Sequence, residues 1–308
     1  VPKLHAPEAI WPMIGWYSAS FLKPWLEEQN YRYPVLNVSG TKGSGKTTLI
    51  QRVFMPLFGQ ANPKTYDAGT TRFVTLALMG SSSSIPIAFS EFRYGQVEHF
   101  IRFILLAYDT GHDPRGRADQ TTQDYPLSAP FSLDGEDLVE DPAARERIVV
   151  AYLHPADIEE GSEEYNAFHN FRPKRPDGFG AYFIQEGLKR LDKLPELLAE
   201  AREAMFEHFP SKLPDRVRNN YIVTYFGMLL WREIVGGEVP SPEVFEKSIM
   251  MVYDFKVGRA RTFADTMTED IVNQIAHGSA RFPAVYDQVE NILWFQMTPT
   301  HSWWVGSR

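Results

Sequence analysis

The feature that most constrains this chain is a glycine-rich turn ending in a lysine and a threonine. It matches the phosphate-binding pattern G-x-x-x-x-G-K-[ST] in full, with an apolar run (Pro34–Ser39) before it and a helical pattern (Lys46–Phe58) after it. Glycines let the backbone N–H groups point inward at phosphate oxygens, and the start of the helix adds a positive dipole end. The alternative is a glycine-rich strand-to-helix turn with a surface lysine, which is disfavoured because both the pattern and its context are met. We therefore predict a nucleotide-binding P-loop made of Gly40, Thr41, Lys42, Gly43, Ser44, Gly45, Lys46, Thr47 and Thr48.

The loop and a second, acidic strand together predict a hydrolytic centre for ATP. Lys46 would reach the β- and γ-phosphates, and Thr47 would offer its hydroxyl to Mg²⁺. The best acidic strand is Ile85–Phe89, followed by Ser90 and Glu91. Glu91 is the predicted general base, and Ser90 stands where an aspartate is usual and would hold a metal-bound water more weakly than a carboxylate. The predicted metal residues are thus Thr47, Ser90 and Glu91, and the alternative is a strand followed by a solvated glutamate.

A third apolar strand, Tyr125–Leu133, ends in Asp134-Gly135-Glu136. Polar residues at the end of a strand beside the acidic strand often sense the γ-phosphate in P-loop folds. We therefore interpret Asp134 and Glu136 as candidate sensors. The alternative interpretation is an ordinary surface turn.

Two arginines, Arg145 and Arg147, precede the β-branched strand Ile148–Leu153. In a ring of subunits, either of them would project into the neighbouring nucleotide and supply positive charge to the transition state. The alternative is a helix with solvated arginines.

Two further arginines, Arg115 and Arg117, lie in the segment His112–Gln123, where ring translocases often place a hairpin facing the central pore. Phosphate contacts from them would allow an acidic protein to bind DNA, and a solvated polar loop is the alternative. The densest basic run, Phe171–Arg175, is better explained as a linker than as a DNA contact.

The alternation of strands and helices up to His154 predicts an α/β fold, a P-loop NTPase sandwich with a mainly parallel sheet, followed by a helical domain. The predicted regions are an N-terminal helical segment (1–33), the ATPase core (34–160), a helical domain (161–280) and a further C-terminal segment (281–308). The chain begins with Val1 and ends in an apolar segment, so we expect a piece of a longer polypeptide that is truncated in the last region.

Composition narrows the function classes. The 308 residues include no cysteine, which excludes disulfides and thiol catalysis and fits a reducing cytosol. The net charge of −8 requires any nucleic-acid contact to come from a local basic lining. The histidines lack metal-binding spacing, so a zinc site is not expected. No stretch reaches the roughly 18–20 apolar residues that span a bilayer, so we expect a cytoplasmic protein without membrane contact.

The motifs and their order resemble a known family. GTKGSGKTT, TTRFVTLALMGSSSS, IPIAFSEFR, APFSLDGEDL and EDPAARERIVV follow one another over about residues 34–154. This series resembles the P-loop ATPase domain of helicases attached to primases and primase-polymerases of phages, plasmids and archaeal elements, which are allied to AAA+ and superfamily 3 helicases. The resemblance implies ATP bound between the subunits of a homo-oligomeric ring, such as a hexamer, and single-stranded DNA drawn through its pore. It also implies a primase on the same polypeptide or as a partner, although no primase signature is visible here.

The sequence therefore predicts an ATP-dependent DNA helicase or translocase module that acts in replication, with ATP and Mg²⁺ as cofactors. Two alternatives stay open, because P-loop folds host many functions. One is a P-loop kinase, which would use ATP only with an acceptor. The other is a P-loop NTPase that is not a motor, such as a nucleotide-gated switch or a packaging or scaffold ATPase.

Overall fold

A computed structural model describes residues 1–58, 60, 64–93, 98–116, 122–154, 160–171, 178–209, 213–254 and 259–260, and beyond them 268, 271–272, 284–287 and 292–295. The strands are β1 (Val35–Gly40), β2 (Thr65–Asp67), β3 (Ile87–Phe92), β4 (His112–Gly116), β5 (Thr122–Pro126), β6 (Phe131–Gly135), β7 (Ile148–Leu153), β8 (Tyr253–Asp254), β9 (Arg259–Ala260), β10 (Ala284–Asp287) and β11 (Ile292–Phe295). The helices are α1 (Pro7–Ser20), α2 (Lys23–Glu28), α3 (Lys46–Leu49), α4 (Met55–Leu57), α5 (Arg72–Met79), α6 (Glu98–Tyr108), α7 (Pro142–Arg145), α8 (Glu163–Phe171), α9 (Phe179–Leu188), α10 (Leu194–His208), α11 (Asp215–Val235) and α12 (Glu246–Val252). A π-helical turn (Ile50–Phe54) joins α3 to α4, and a 3-10 turn (Pro242–Phe245) precedes α12.

The central sheet has five parallel strands in the order β2-β3-β6-β1-β7. All six residues of β1 are buried, as expected for a parallel strand covered on both faces. Because parallel strands end at the same edge, the carboxyl ends of β1, β3 and β6 bring Gly40, Glu91 and Gly135 together. The predicted α/β fold with a mainly parallel sheet is confirmed.

Two predicted strands have different limits in the structure. The segment Tyr125–Leu133 is not one strand, because Pro126 ends β5 and β6 begins after Pro130. Likewise β3 begins after Pro86 and continues through Ser90 and Glu91, which therefore lie within the strand rather than after it. In each case a proline, which cannot donate a ladder hydrogen bond, stands at the limit.

Residues 1–260 form one compact unit. Helix α1 is buried almost all round and packs against α11 and β7. The helices α1 and α11 approach each other closely at two glycines, since a Cβ added to Gly227 would lie 1.9 Å from the carbonyl oxygen of Gly15. The N-terminal segment and the helices up to α12 thus share a core with the sheet, and the predicted limit near residue 160 does not separate two compact units.

Residues 261–308 form a second unit, in which β10 and β11 pair as an antiparallel hairpin. None of the helices in the described part of the chain combines the length and apolar character needed to cross a membrane.

Candidate nucleotide-binding site

The P-loop leads from the end of β1 into α3 with the backbone that its glycines predict. Gly40, Gly43 and Gly45 all have φ in the positive range, at 149°, 85° and 86°. A Cβ on Gly40 would also lie 2.1 Å from the carbonyl oxygen of Leu153, so no larger residue fits there without movement of β7. These constraints hold the loop in a curve with its N–H groups available to phosphate oxygens.

The side chain of Lys46 contacts the start of the P-loop. Its Nζ donates hydrogen bonds to the carbonyl oxygens of Gly40 (2.5 Å) and Thr41 (2.9 Å). Partial burial lowers the pKa of Lys46, whereas the nearby carboxylates of Glu136, Asp134 and Glu91 raise it. The ammonium is thus held at the loop by acceptors that phosphate oxygens can replace.

One cavity of about 280 Å³ brings the loop together with the predicted acidic residues. It is lined by Lys42, Gly43, Gly45, Lys46, Thr47, Thr48, Glu91, Asp134, Gly135 and Glu136. The structure therefore collects, at one edge of the sheet, the P-loop lysine and threonine, the predicted base and both candidate sensors. The sequence separates these residues by up to 90 positions, and the parallel register of β1, β3 and β6 brings them together.

Asp134 is the most deeply placed acid of this cavity. Its side chain is 2% exposed, and its Oδ2 accepts a hydrogen bond from Oγ1 of Thr47 at 3.1 Å. Burial raises the pKa of Asp134 to about 6, against the lowering effects of the Thr47 hydrogen bond and the Lys46 charge. Its Oδ1 is also buried and has no hydrogen-bond partner among the residues described.

Glu91 reaches the cavity through an irregularity in β3. The register between β3 and β6 shifts between Phe89 and Phe92, and Glu91 has φ of 57°, which is unusual for a residue with a Cβ. Its side chain is exposed and lines the cavity beside Asp134. The position fits the predicted general base, because a base must meet a water molecule at the γ-phosphate.

Ser90 differs from its predicted role. Its Oγ lies 3.4 Å from Oγ1 of Thr65 and 3.4 Å from the carbonyl oxygen of Tyr66, both on β2, and it does not line the cavity. Alternation along a strand explains the difference, since consecutive side chains point to opposite faces. In this structure Ser90 therefore contributes to the contact between β2 and β3, and its role in metal binding stays a prediction.

A second cavity, of about 400 Å³, adjoins the other side of the loop and was not predicted from the sequence. It is lined by Leu4, His5, Gly43, Ser44, Gly45, Thr48, Leu49, Arg52, Tyr165, Phe168 and His169. The rings of Tyr165 and His169 on α8 lie 4.3 Å apart, and an ion pair between Lys3 and Glu163 joins the N-terminal segment to this helix. Apolar walls with aromatic rings suit a flat base. In the sequence, this cavity could have been indicated by the i, i+4 spacing of Tyr165 and His169, which places both rings on one face of a helix.

Arg145 does not occupy the exposed position predicted for a trans-acting arginine. Its side chain is 1% exposed, and its guanidinium donates to the carbonyl oxygens of Val139 (2.5 Å) and Met251 (3.5 Å). A side chain held in this way within its own chain cannot extend into a neighbour. In this structure Arg145 thus lacks the exposure that a trans-acting arginine requires, and its assignment to that role stays a prediction.

Arg147 is also engaged within its own chain. It forms an ion pair with Asp109 at 3.2 Å, donates to the carbonyl oxygen of Ala143 at 2.7 Å and lies over the ring of Tyr108. Its side chain is 12% exposed. A contact with a neighbouring subunit would first require release from Asp109.

The predicted hairpin is present as β4 and β5, an antiparallel pair in which Arg115 is opposite Gln123. Its base is fixed by Asp113, a buried carboxylate that pairs with Arg72 and Arg102. The basic run 172–175 and Arg117 lie outside the described residues. The assignment of Arg115 and Arg117 to DNA stays a prediction.

No protein-family model and no curated protein matches this chain. Among solved structures, the SCCmec type IV Cch protein in an active helicase form is similar, with a TM-score of 0.59 and 12% identity over 89% of this chain and 53% of that one. The two chains share a P-loop NTPase-like α/β fold. A JCV helicase crystallised with a thiazolopyridine compound matches 73% of this chain and 61% of its own at 12% identity, but its TM-score of 0.35 is too low to support an argument. The chain spans about half the length of the Cch helicase.

The donor set of the first cavity fits Mg²⁺ bound with a nucleotide. Among the described residues, no group of three or more His, Asp or Glu side chains could hold a metal unaided. Mg²⁺ in nucleotide sites is held by one or two protein oxygens together with the substrate's phosphates. Thr47 and the unpartnered oxygen of Asp134 supply such oxygens beside the loop.

Proposed function

We propose that this chain is an ATP-hydrolysing helicase or translocase module that acts on DNA in the replication of a phage, plasmid or mobile element. The observation that carries this proposal is the cavity in which Lys46 and Thr47 of the P-loop face Glu91 and Asp134. The fold shared with the Cch helicase supports it.

The residues that line this cavity have separate roles in the proposed hydrolysis. The N–H groups of the loop and Lys46 bind the β- and γ-phosphates and stabilise charge that moves onto the oxygen between them. Glu91 orients a water molecule and accepts its proton as the water attacks the γ-phosphorus. Glu136, exposed at the same rim, lies where it can respond to loss of the γ-phosphate. Mg²⁺ bound with ATP would neutralise charge on the phosphates.

The second cavity is the proposed site of the adenine and ribose. It shares Gly43, Gly45 and Thr48 with the phosphate cavity, so one nucleotide extends from one into the other. Tyr165 and His169 offer rings for stacking, and Arg52 is exposed at the wall. Because α8 and the N-terminal segment both line this cavity, nucleotide binding would draw them together.

The remaining parts of the proposal concern assembly. We propose a homo-oligomeric ring, such as a hexamer, with single-stranded DNA contacted by Arg115 and Arg117 of the β4–β5 hairpin. Arg147 is the better placed candidate for a trans-acting arginine. Its guanidinium would leave Asp109 and bind the nucleotide of a neighbouring subunit. A primase on the same polypeptide or as a partner, and a cytoplasmic location, complete the proposal.

The test is steady-state ATP hydrolysis with and without single-stranded DNA. We expect DNA to stimulate the wild-type protein, and Glu91→Gln to lower turnover by about 10²–10⁴-fold, the range for loss of a general base, while ATP still binds. Glu203→Gln, at an exposed position on α10, is the matched control and should behave as wild type.

Turnover that is indifferent to DNA would contradict the motor proposal and favour a switch or scaffold ATPase. ATP consumption that appears only with a phosphate acceptor would favour a kinase. Full activity in Glu91→Gln would refute the assignment of the base.

A further inference from the structure

We propose that Asp134, at the end of β6, is the carboxylate that holds the Mg²⁺ of the bound nucleotide together with Thr47, and that Ser90 has no part in metal binding. This inference rests on the proposed function. It changes the assignment of two residues: Asp134 is a metal residue and not a phosphate sensor, and the acidic strand β3 supplies only the base.

The first reason is the position of the two strands. β6 lies directly beside β1, with Asp134 opposite Val38, whereas β3 is one strand further away. Neighbouring strands lie about 4.8 Å apart, so a residue on β6 is nearer to the P-loop threonine by about that distance. A carboxylate on β6 therefore lies close to the Thr47 hydroxyl. An aspartate at position 90 would have to reach the same place from β3, two strands away from β1.

The second reason is the hydrogen bond between Thr47 and Asp134. The Thr47 hydroxyl is the P-loop group that binds Mg²⁺, and it donates to Oδ2 of Asp134 at 3.1 Å. A carboxylate that touches this hydroxyl lies at the metal position. A γ-phosphate sensor, by contrast, would contact the far end of the triphosphate, where Glu91 and Glu136 are exposed.

The third reason is the unpartnered oxygen. Asp134 lines the same cavity, and its Oδ1 is buried and has no hydrogen-bond partner among the described residues. A buried carboxylate oxygen without a partner is costly, and a cation is one of the partners that remove this cost. Ser90 offers no such atom, because its hydroxyl contacts Thr65 and Tyr66.

The experiment measures binding of a fluorescent ADP analogue with excess Mg²⁺ and with excess EDTA. The wild-type protein should bind more tightly with Mg²⁺. Asp134→Asn should weaken binding in Mg²⁺ by about 10- to 100-fold, as for loss of a group that supports a metal, and should leave binding in EDTA unchanged. Ser90→Ala should retain the full effect of Mg²⁺.

A second readout detects the metal itself. With Mn²⁺ in place of Mg²⁺ and ADP present, electron paramagnetic resonance counts the Mn²⁺ bound to each protein. We expect one bound Mn²⁺ in the wild type and in Ser90→Ala, and none in Asp134→Asn under the same conditions. Asp134→Ala should agree with Asp134→Asn, and circular dichroism of each variant checks that the chain is folded.

The outcomes separate the inference from the function on which it rests. If the wild type and Lys46→Ala bind ADP equally, the proposed nucleotide site fails. If the wild type shows the Mg²⁺ effect and Asp134→Asn keeps it, the site stands and the inference about Asp134 is refuted. Loss of the Mg²⁺ effect in Ser90→Ala would show that Ser90 on β3 takes part in metal binding and would contradict the inference.

Discussion

The buried carboxylate of Asp134 should destabilise the nucleotide-free protein at neutral pH, so that Asp134→Asn should increase the free energy of unfolding. The pKa of Asp134 is raised from 3.8 to about 6, mainly by burial. Between these two values the folded protein binds more protons than the unfolded one. The contribution of Asp134 to stability is therefore greatest below about pH 4 and is lost as the pH rises through 6.

The size of the effect follows from the shift. A difference of about two pKa units corresponds to about 3 kcal/mol lost at neutral pH. Asparagine keeps an oxygen that can accept the Thr47 hydrogen bond, but it adds an amide NH₂ group whose burial without a partner costs about 1–2 kcal/mol. We therefore expect a net gain of about 1–2 kcal/mol for Asp134→Asn at pH 7.5.

The assay is urea denaturation followed by tryptophan fluorescence, in EDTA and without nucleotide, at pH 7.5, 6, 5 and 4. The advantage of Asp134→Asn should be largest at pH 7.5, should shrink through pH 6 and 5, and should be reversed at pH 4, where the cost of the buried amide remains and the cost of the buried carboxylate has almost disappeared. A variant that is less stable than wild type at pH 7.5, or an advantage that does not change with pH, would refute the reasoning.

Three further predictions concern packing and ligand contacts. Gly227→Ala should destabilise the protein by about 1–3 kcal/mol or more, because its Cβ would meet the backbone of Gly15 at 1.9 Å. Thermal denaturation should show a smaller loss for Gly187→Ala, whose Cβ would meet only the tip of an aromatic ring. Arg145→Met should cost about 1–3 kcal/mol in urea denaturation and leave ATP turnover per folded molecule unchanged; a selective loss of turnover would restore its trans-acting role. Tyr165→Ala should weaken binding of ATP but not of inorganic triphosphate in competition titrations, and equal weakening of both would remove Tyr165 from the base site.

The sequence was sufficient for the features that depend on neighbouring residues. The P-loop is defined by glycines and a lysine within one turn, and its placement between β1 and α3 follows from the apolar run before it and the helical pattern after it. The strand Ile148–Leu153 and the helix Asp215–Val235 have the predicted limits because their patterns are continuous. The parallel sheet followed from the alternation of such segments.

The sequence was insufficient where a side chain depends on a distant partner. Arg145 is held by the carbonyl oxygen of Met251, a contact that no local pattern indicates. The contrast between Ser90 and Asp134 depends on which strand lies beside β1, and this order appears only when the sheet is assembled. The base cavity requires α8 to meet the loop, although more than a hundred residues separate them.

Two unfavourable features occur in the same small cavity. Glu91 adopts a left-handed backbone that costs of order 1 kcal/mol for a residue with a Cβ, and Asp134 buries an oxygen without a partner. Neither feature helps the chain to fold, since a glycine at position 91 would remove the first cost and an asparagine at position 134 would reduce the second. Such costs are retained where they serve a ligand. Their coincidence beside Lys46 and Thr47 therefore supports, independently of the P-loop pattern, the proposal that this edge of the sheet binds a phosphate, its metal and a water molecule.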